Sequence, residues 1–172
     1  MRIAYVTAYD AHDIRAWSGI GYHMARALEK QGAELDYIGP LAAKPGITTK
    51  VKAKIYRCLG KKLSYERIPS FVRRHTIEIQ RRLRPGTDIV FSPGSIPVSL
   101  LKCSMPKVFY TDAVFGGMLG FYDTFSNFCS ETIRSGHYLE QEALDSCSMA
   151  IYSSAWAAES AVKHYNADPA KL

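Results

Sequence analysis

The chain is predicted to be an α/β protein with a doubly wound, mainly parallel sheet, a Rossmann-like three-layer sandwich. Short β-rich runs alternate with helical patterns five times along the 172 residues, the order that builds a parallel sheet. Runs such as "DIVF" and "KVFY" are apolar almost throughout, as strands covered on both faces require. The helical stretches over Gly19–Gln31 and Pro69–Arg84 carry apolar stripes and stop at glycine or proline, so each can lie on a sheet face and return the chain.

Each element follows from its own pattern. "RIAYVT" (Arg2–Thr7) reads as the first strand. Ile20, Met24, Ala25 and Leu28 recur at helical spacing, which predicts a helix over Gly19–Gln31, capped by Ser18 and stopped by Gly32. "AELDYIG" (Ala33–Gly39) is the second strand. The lysine-rich stretch Leu41–Leu63 reads as a loop with a short helix around Ala53–Leu59. Ile68, Phe71, Val72, His75, Ile79 and Leu83 share one face, so a helix is expected from Pro69 to Arg84. "TDIVFSPG" (Thr87–Gly94) is the third strand, followed by a short helix over Pro97–Leu101. The fourth strand is placed around Lys107–Thr111, a long polar helix over Ser130–Cys147, and the fifth strand over Met149–Ser154. The last helix is expected to be capped by Ser153 or Ser154 and to stop near Asn166.

The composition, 47% hydrophobic and 22% charged, is that of an ordinary globular chain. No apolar run reaches the length of a membrane helix, and the start lacks the apolar core of a signal peptide. Four scattered cysteines without C-x-x-C spacing argue against zinc or a disulfide framework, which makes the cytoplasm the expected compartment. Charge is uneven. Between Lys44 and Arg84, thirteen basic residues face only Glu66 and Glu78, a local charge of +11 in a chain of +6. Two readings stand side by side: a solvated basic face, or a surface that attracts anionic headgroups or phosphates. Aromatics are not interleaved with these charges as base stacking needs, so no nucleic-acid partner is expected.

Ligands of such a sheet belong at the carboxyl ends of its strands. Ser18, Gly19, Ile20 and Gly21 offer backbone N–H groups at a helix start, suited to a phosphate, although a tight turn explains the glycines equally. The stretch is not the dinucleotide fingerprint, because about ten residues separate it from the strand and Met24 stands where a third glycine belongs. Nor does the second strand end in an acidic residue for a ribose; it ends in Gly39-Pro40. Asp112 follows the fourth strand, where a carboxylate can act as a base, hydrogen-bond a hydroxyl, or merely close a turn. The histidines lack metal-ligand spacing, and Glu140 and Glu142, two apart on a helix, point apart.

Taken in order, four stretches resemble the N-terminal domain of the group 1 (GT4-type) retaining glycosyltransferases. They are "YDAHDIRAWSGIGYHMARALEKQGAELDYIGPL", "FSPGSIPVSLL", "PKVFYTDAVFGGMLGFY" and "IYSSAWAAESAVKHYNADPAKL", and together they span nearly the whole chain. The resemblance implies the GT-B architecture of two Rossmann-like halves, with residues 1–172 as the acceptor-side half and the donor-binding half outside this chain. It implies a nucleotide-sugar donor as substrate, a saccharide or lipid-linked acceptor, and no metal or other cofactor. The donor's phosphates and sugar would lie at Ser18, Gly19, Ile20 and Gly21, and the acceptor at Asp10, His12, Ser95 and Tyr110. Asp112 stands where many relatives have a histidine, and Ser18-Gly19 where many have two glycines. Asp112 is therefore expected either as a catalytic group or as a ligand of a sugar hydroxyl. Relatives often dock to membranes, so Lys44–Arg84, with Phe71 and Val72 on an amphipathic helix, is expected to touch the inner membrane face. The alternative is a non-catalytic Rossmann-like module that binds an anionic ligand or a protein.

Overall fold

A computed structural model describes the whole chain, Met1–Leu172. Five strands are present: β1 (Arg2–Val6), β2 (Glu34–Ile38), β3 (Ile89–Pro93), β4 (Lys107–Thr111) and β5 (Met149–Tyr152). Six helices accompany them: α1 (Ile20–Lys30), α2 (Ile47–Cys58), α3 (Pro69–Arg82), α4 (Phe115–Met118), α5 (Ser130–Ser146) and α6 (Ala155–Tyr165). All strand pairs are parallel, in the order β2-β1-β3-β4-β5. The chain leaves β1 to one side for β2 and to the other for β3, so the topological switch point lies between β1 and β3.

Successive β1 side chains point to opposite faces and enter different cores. Ile3 and Tyr5 pack with Ala25 of α1 and Phe91. Ala4 and Val6 join the larger core with Ile79 of α3, Ala143 and Leu144 of α5, and Ala161 of α6. The sheet is thus flanked by helices on both faces, as the alternating pattern predicted. The α1 face is thinly covered, and at β5 it leaves Met149 and Ile151 exposed.

Four local expectations change. Ser18 does not cap α1: its backbone is left-handed (φ 53°), whereas a capping residue needs an extended one, and Gly19 takes the cap position at φ 80°. The lysine-rich segment forms a longer helix, Ile47–Cys58. The helix expected over Pro97–Leu101 shrinks to one 3₁₀ turn, Ile96–Val98. Here the buried Lys107 ammonium reaches in and binds the carbonyl of Leu101 at 2.7 Å and the Ser146 hydroxyl at 2.6 Å, which gives the short turn's end a partner. Phe71 and Val72 are 5% and 0% exposed. The apolar face of α3 therefore belongs to the core and cannot enter a membrane.

Candidate functional site

The loop from Ala8 to Gly19 is built by short-range bonds. The Thr7 hydroxyl donates to the Tyr9 carbonyl, and the Asp10 carboxylate accepts the His12 amide at 2.9 Å. Asp13 accepts the Arg15 amide and pairs with its guanidinium, which holds the Asp13 carboxyl below its ordinary range. The loop ends in three consecutive left-handed residues, Trp17 (φ 46°), Ser18 (φ 53°) and Gly19 (φ 80°). Such a conformation disfavours side chains by about 1–2 kcal/mol per residue, so the surroundings must impose it. A Cβ on Gly19 would stand 3.0 Å from the Ile14 carbonyl, and one on Gly21 would collide with the Tyr9 hydroxyl, so neither position has room for a side chain. The Tyr5 hydroxyl, from β1, binds the Gly21 carbonyl at 2.6 Å and pins the first turn of α1 to the sheet.

This bend carries Trp17 across the carboxyl edge until its ring lies 6.0 Å from that of Tyr110 on β4. The Tyr110 hydroxyl donates to Asp112 at 3.3 Å, and the Ser153 hydroxyl, after β5, donates to the Asp112 carbonyl at 3.4 Å. Burial and the nearby Asp112 charge push the Tyr110 phenol above its usual pKa. The glycine loop, Tyr110 and Asp112 therefore share one corner of the sheet edge. His12 lies on the same side but nearer β2, its ring 4.5 Å from Tyr37.

Not every expected residue joins that corner. The Ile20 amide is already bonded to the Trp17 carbonyl. Ser95 lies on the opposite side, where its hydroxyl donates to the buried Glu140 carboxyl.

Sequence reasoning missed the residues around Glu140. The Arg67 guanidinium lies over the Phe115 ring, 4.1 Å from its centroid, with Nη1 4.0 Å from Glu140 Oε2. The Tyr165 hydroxyl accepts the Gly116 amide at 2.9 Å and pairs with His137 Nδ1 at 3.0 Å. Burial pushes Glu140 toward its protonated form, with Arg67 and Ser95 opposing. Periodicity held the signal: Glu140 falls on the same helical face as Gly136, Ala143 and Leu144, all buried. Comparing Glu140 only with Glu142 hid it.

No group of three or more histidine, cysteine, aspartate or glutamate side chains lies close enough to hold a metal ion. All four cysteines are unpaired, and no helix is long and apolar enough to cross a membrane. The fold defines the class of protein as a Rossmann-like α/β domain. No protein-family model and no curated protein matches the chain.

Proposed function

We propose that this chain is the acceptor-side half of a retaining glycosyltransferase that moves a sugar from a nucleotide-sugar donor to an acceptor hydroxyl. One observation carries the reading: a left-handed backbone, Trp17–Ser18–Gly19, starts α1 beside Tyr110 and Asp112 at the carboxyl edge. Strained backbone of this kind clusters at functional sites, and a helix N-terminus favours the negative charge of a leaving phosphate.

In this reading the amides of Ser18, Gly19 and Gly21 and the dipole of α1 face the donor phosphates. Asp112, held by Tyr110, hydrogen-bonds a sugar or acceptor hydroxyl. Asp10, His12 and Tyr110 line the acceptor side, and Ser95 shapes the turn after β3 through Glu140. The exposed aromatic group Phe121, Tyr122 and Trp156, with Phe121 and Trp156 rings 6.1 Å apart, spans the segment after α4 and the first turn of α6 and suits a facing domain.

Peripheral membrane contact belongs to the same proposal, but through α2. Ile47, Val51, Ile55 and Leu59 stand four apart and are exposed, Ile47 by 81%. Thr49, Ala53 and Tyr56 form the less exposed face of the helix, and Lys50, Lys54 and Arg57 flank the apolar stripe. An apolar stripe bordered by cations is the pattern of a helix lying in a lipid interface.

The test is a transfer assay with labelled nucleotide sugars. The chain alone is expected to turn over little, and robust turnover would overturn its assignment as one half of an enzyme. The full reading frame that contains the chain is expected to transfer sugar with retained anomeric configuration and to lose at least tenfold in rate with Asp112→Ala. No transfer from any donor would overturn the reading.

A further inference from the structure

We infer that a cavity beside Arg67 and His75 is a binding site for a small molecule bearing a phosphate-type oxyanion on a flat apolar body. The site goes beyond sugar transfer and stands without it.

The cavity has a volume of about 260 Å³ and is bordered by Ala8, which follows β1, and by Pro97, which follows β3. It therefore opens at the topological switch point, where ligands of parallel sheets bind. Its volume is below that of drug-sized pockets, so it suits a small metabolite and not a whole nucleotide.

Two polar groups of the lining, Arg67 and His75, are poorly partnered. A guanidinium has five N–H donors, and those of Arg67 make no hydrogen bond within the protein. Its closest carboxylate oxygen is Glu140 Oε2 at 4.0 Å, and Nη1 is sealed from solvent without a partner. The side chain is 13% exposed, and it is the cavity that it lines. His75, 7% exposed, lines the same cavity, and its Nε2 also lacks a partner. Glu66 is the one acid in the lining and is exposed, where solvent screens it.

The rest of the lining is apolar and aromatic. Tyr65 meets Phe71 edge to face at 5.4 Å, and Phe71 meets His75 at 4.7 Å. A buried guanidinium selects a planar or tetrahedral oxyanion. The aromatic wall selects a flat body attached to it.

The experiment titrates the chain with phenyl phosphate, inorganic phosphate and phenol while following the ring NMR signals of His75. Phenyl phosphate is expected to give a saturable shift, inorganic phosphate a weaker one, and phenol none at the same concentrations. Arg67→Gln should weaken phenyl phosphate binding about tenfold or more. Ala43→Phe fills the cavity from a loop remote from Glu140 and should abolish binding, which keeps the test decisive if Arg67→Gln unfolds. Arg74→Gln, outside the cavity, should change it by no more than about twofold. Absence of a saturable shift in the wild-type chain overturns the site. So does undiminished binding by Ala43→Phe, and so does an equal loss in the Arg67 and Arg74 variants, which would mean a diffuse basic surface. Only binding is read, so failure here leaves the transfer assay unaffected, and the converse holds.

Discussion

The Ser95 hydroxyl, in the turn after β3, donates to Glu140 Oε2 on α5 at 3.1 Å, inside the protein, with Glu140 only 1% exposed. It is the carboxyl group's single side-chain hydrogen bond, since Oε1 has no partner. Ser95→Ala leaves a buried acceptor unsatisfied and should lower stability by about 1–3 kcal/mol. Glu140→Ala also strips Arg67 of its nearest counter-charge and should cost about 3–5 kcal/mol. Urea unfolding checks both, through a lower midpoint at unchanged slope. A Ser95→Ala midpoint equal to wild type would show that the bond contributes nothing.

Acid should destabilise the fold through two histidines. Burial lowers the pKa of His75, with Glu78 opposing and Arg74 assisting, and burial likewise lowers that of His137. The unfolded imidazoles take up protons near pH 6.5, the folded ones only at lower pH. Below about 6.5 the unfolded state therefore binds more protons, and stability falls until the folded pKa values are passed. Glu140 acts oppositely: its raised pKa makes its contribution full below the ordinary glutamate range and lost as pH rises through the folded value. Urea midpoints measured from pH 8 to pH 5 should fall on the acid side, and His75→Gln should flatten the slope. An unchanged slope in that variant would remove His75 from the account.

Ser18 is exposed and left-handed. Ser18→Gly should therefore stabilise the domain by about 1 kcal/mol, since little contact is lost and backbone strain is relieved. Gly19→Ala should destabilise it, because φ 80° and the Ile14 carbonyl both oppose a Cβ. Thermal unfolding distinguishes these signs. Destabilisation by Ser18→Gly would mean that its hydroxyl holds the loop.

Gly136 lies inside α5, where alanine ordinarily gains about 1 kcal/mol. Its Cβ, however, would run into the Phe115 ring, which is fully buried. Overpacking of this kind costs about 1–3 kcal/mol, so Gly136→Ala is expected to lower the melting temperature. A rise would mean that Phe115 moves aside freely.

Sedimentation with anionic vesicles tests α2. Replacing Lys50, Lys52, Lys61 and Lys62 with glutamine should weaken binding, at about 1 kcal/mol for each cation near the surface. Lys52 should matter least, because it already pairs with Glu131. Ile55→Asp, which inserts a charge into the apolar stripe, should weaken binding to neutral vesicles as well. Binding that survives both changes would rule out this helix as the contact.

The strands and the long helices were legible in the sequence because periodicity decides them. "DIVF" and "KVFY" became β3 and β4, and the face Phe71–Val72–His75–Ile79 became the buried side of α3. The same periodicity could not say which amphipathic helix meets the core and which meets solvent. Phe71, on a face that would suit a membrane, lies in the core, while Val51 and Ile55 of the lysine-rich stretch lie exposed. At the candidate site, Asp112 and the glycine loop follow from strand ends. The Arg67–Glu140–Ser95 group does not, because its members come from three distant segments and meet only through tertiary packing. Ser18 does not cap because its backbone is left-handed, and a side-chain preference for the cap position cannot express itself from that conformation.

The first strand has its two partners far downstream. Val6 pairs with Ile38 of β2, and Tyr5 with Phe91 of β3. A ribosome that has delivered only the first two strands has therefore made a two-stranded ribbon whose β1 edge is bare, and that edge stays open until Phe91 emerges. Pairing of such high sequence separation forms slowly and exposes the nascent chain to association. Any shortened form ending before β3 should need a chaperone to remain unaggregated, however sound its individual helices.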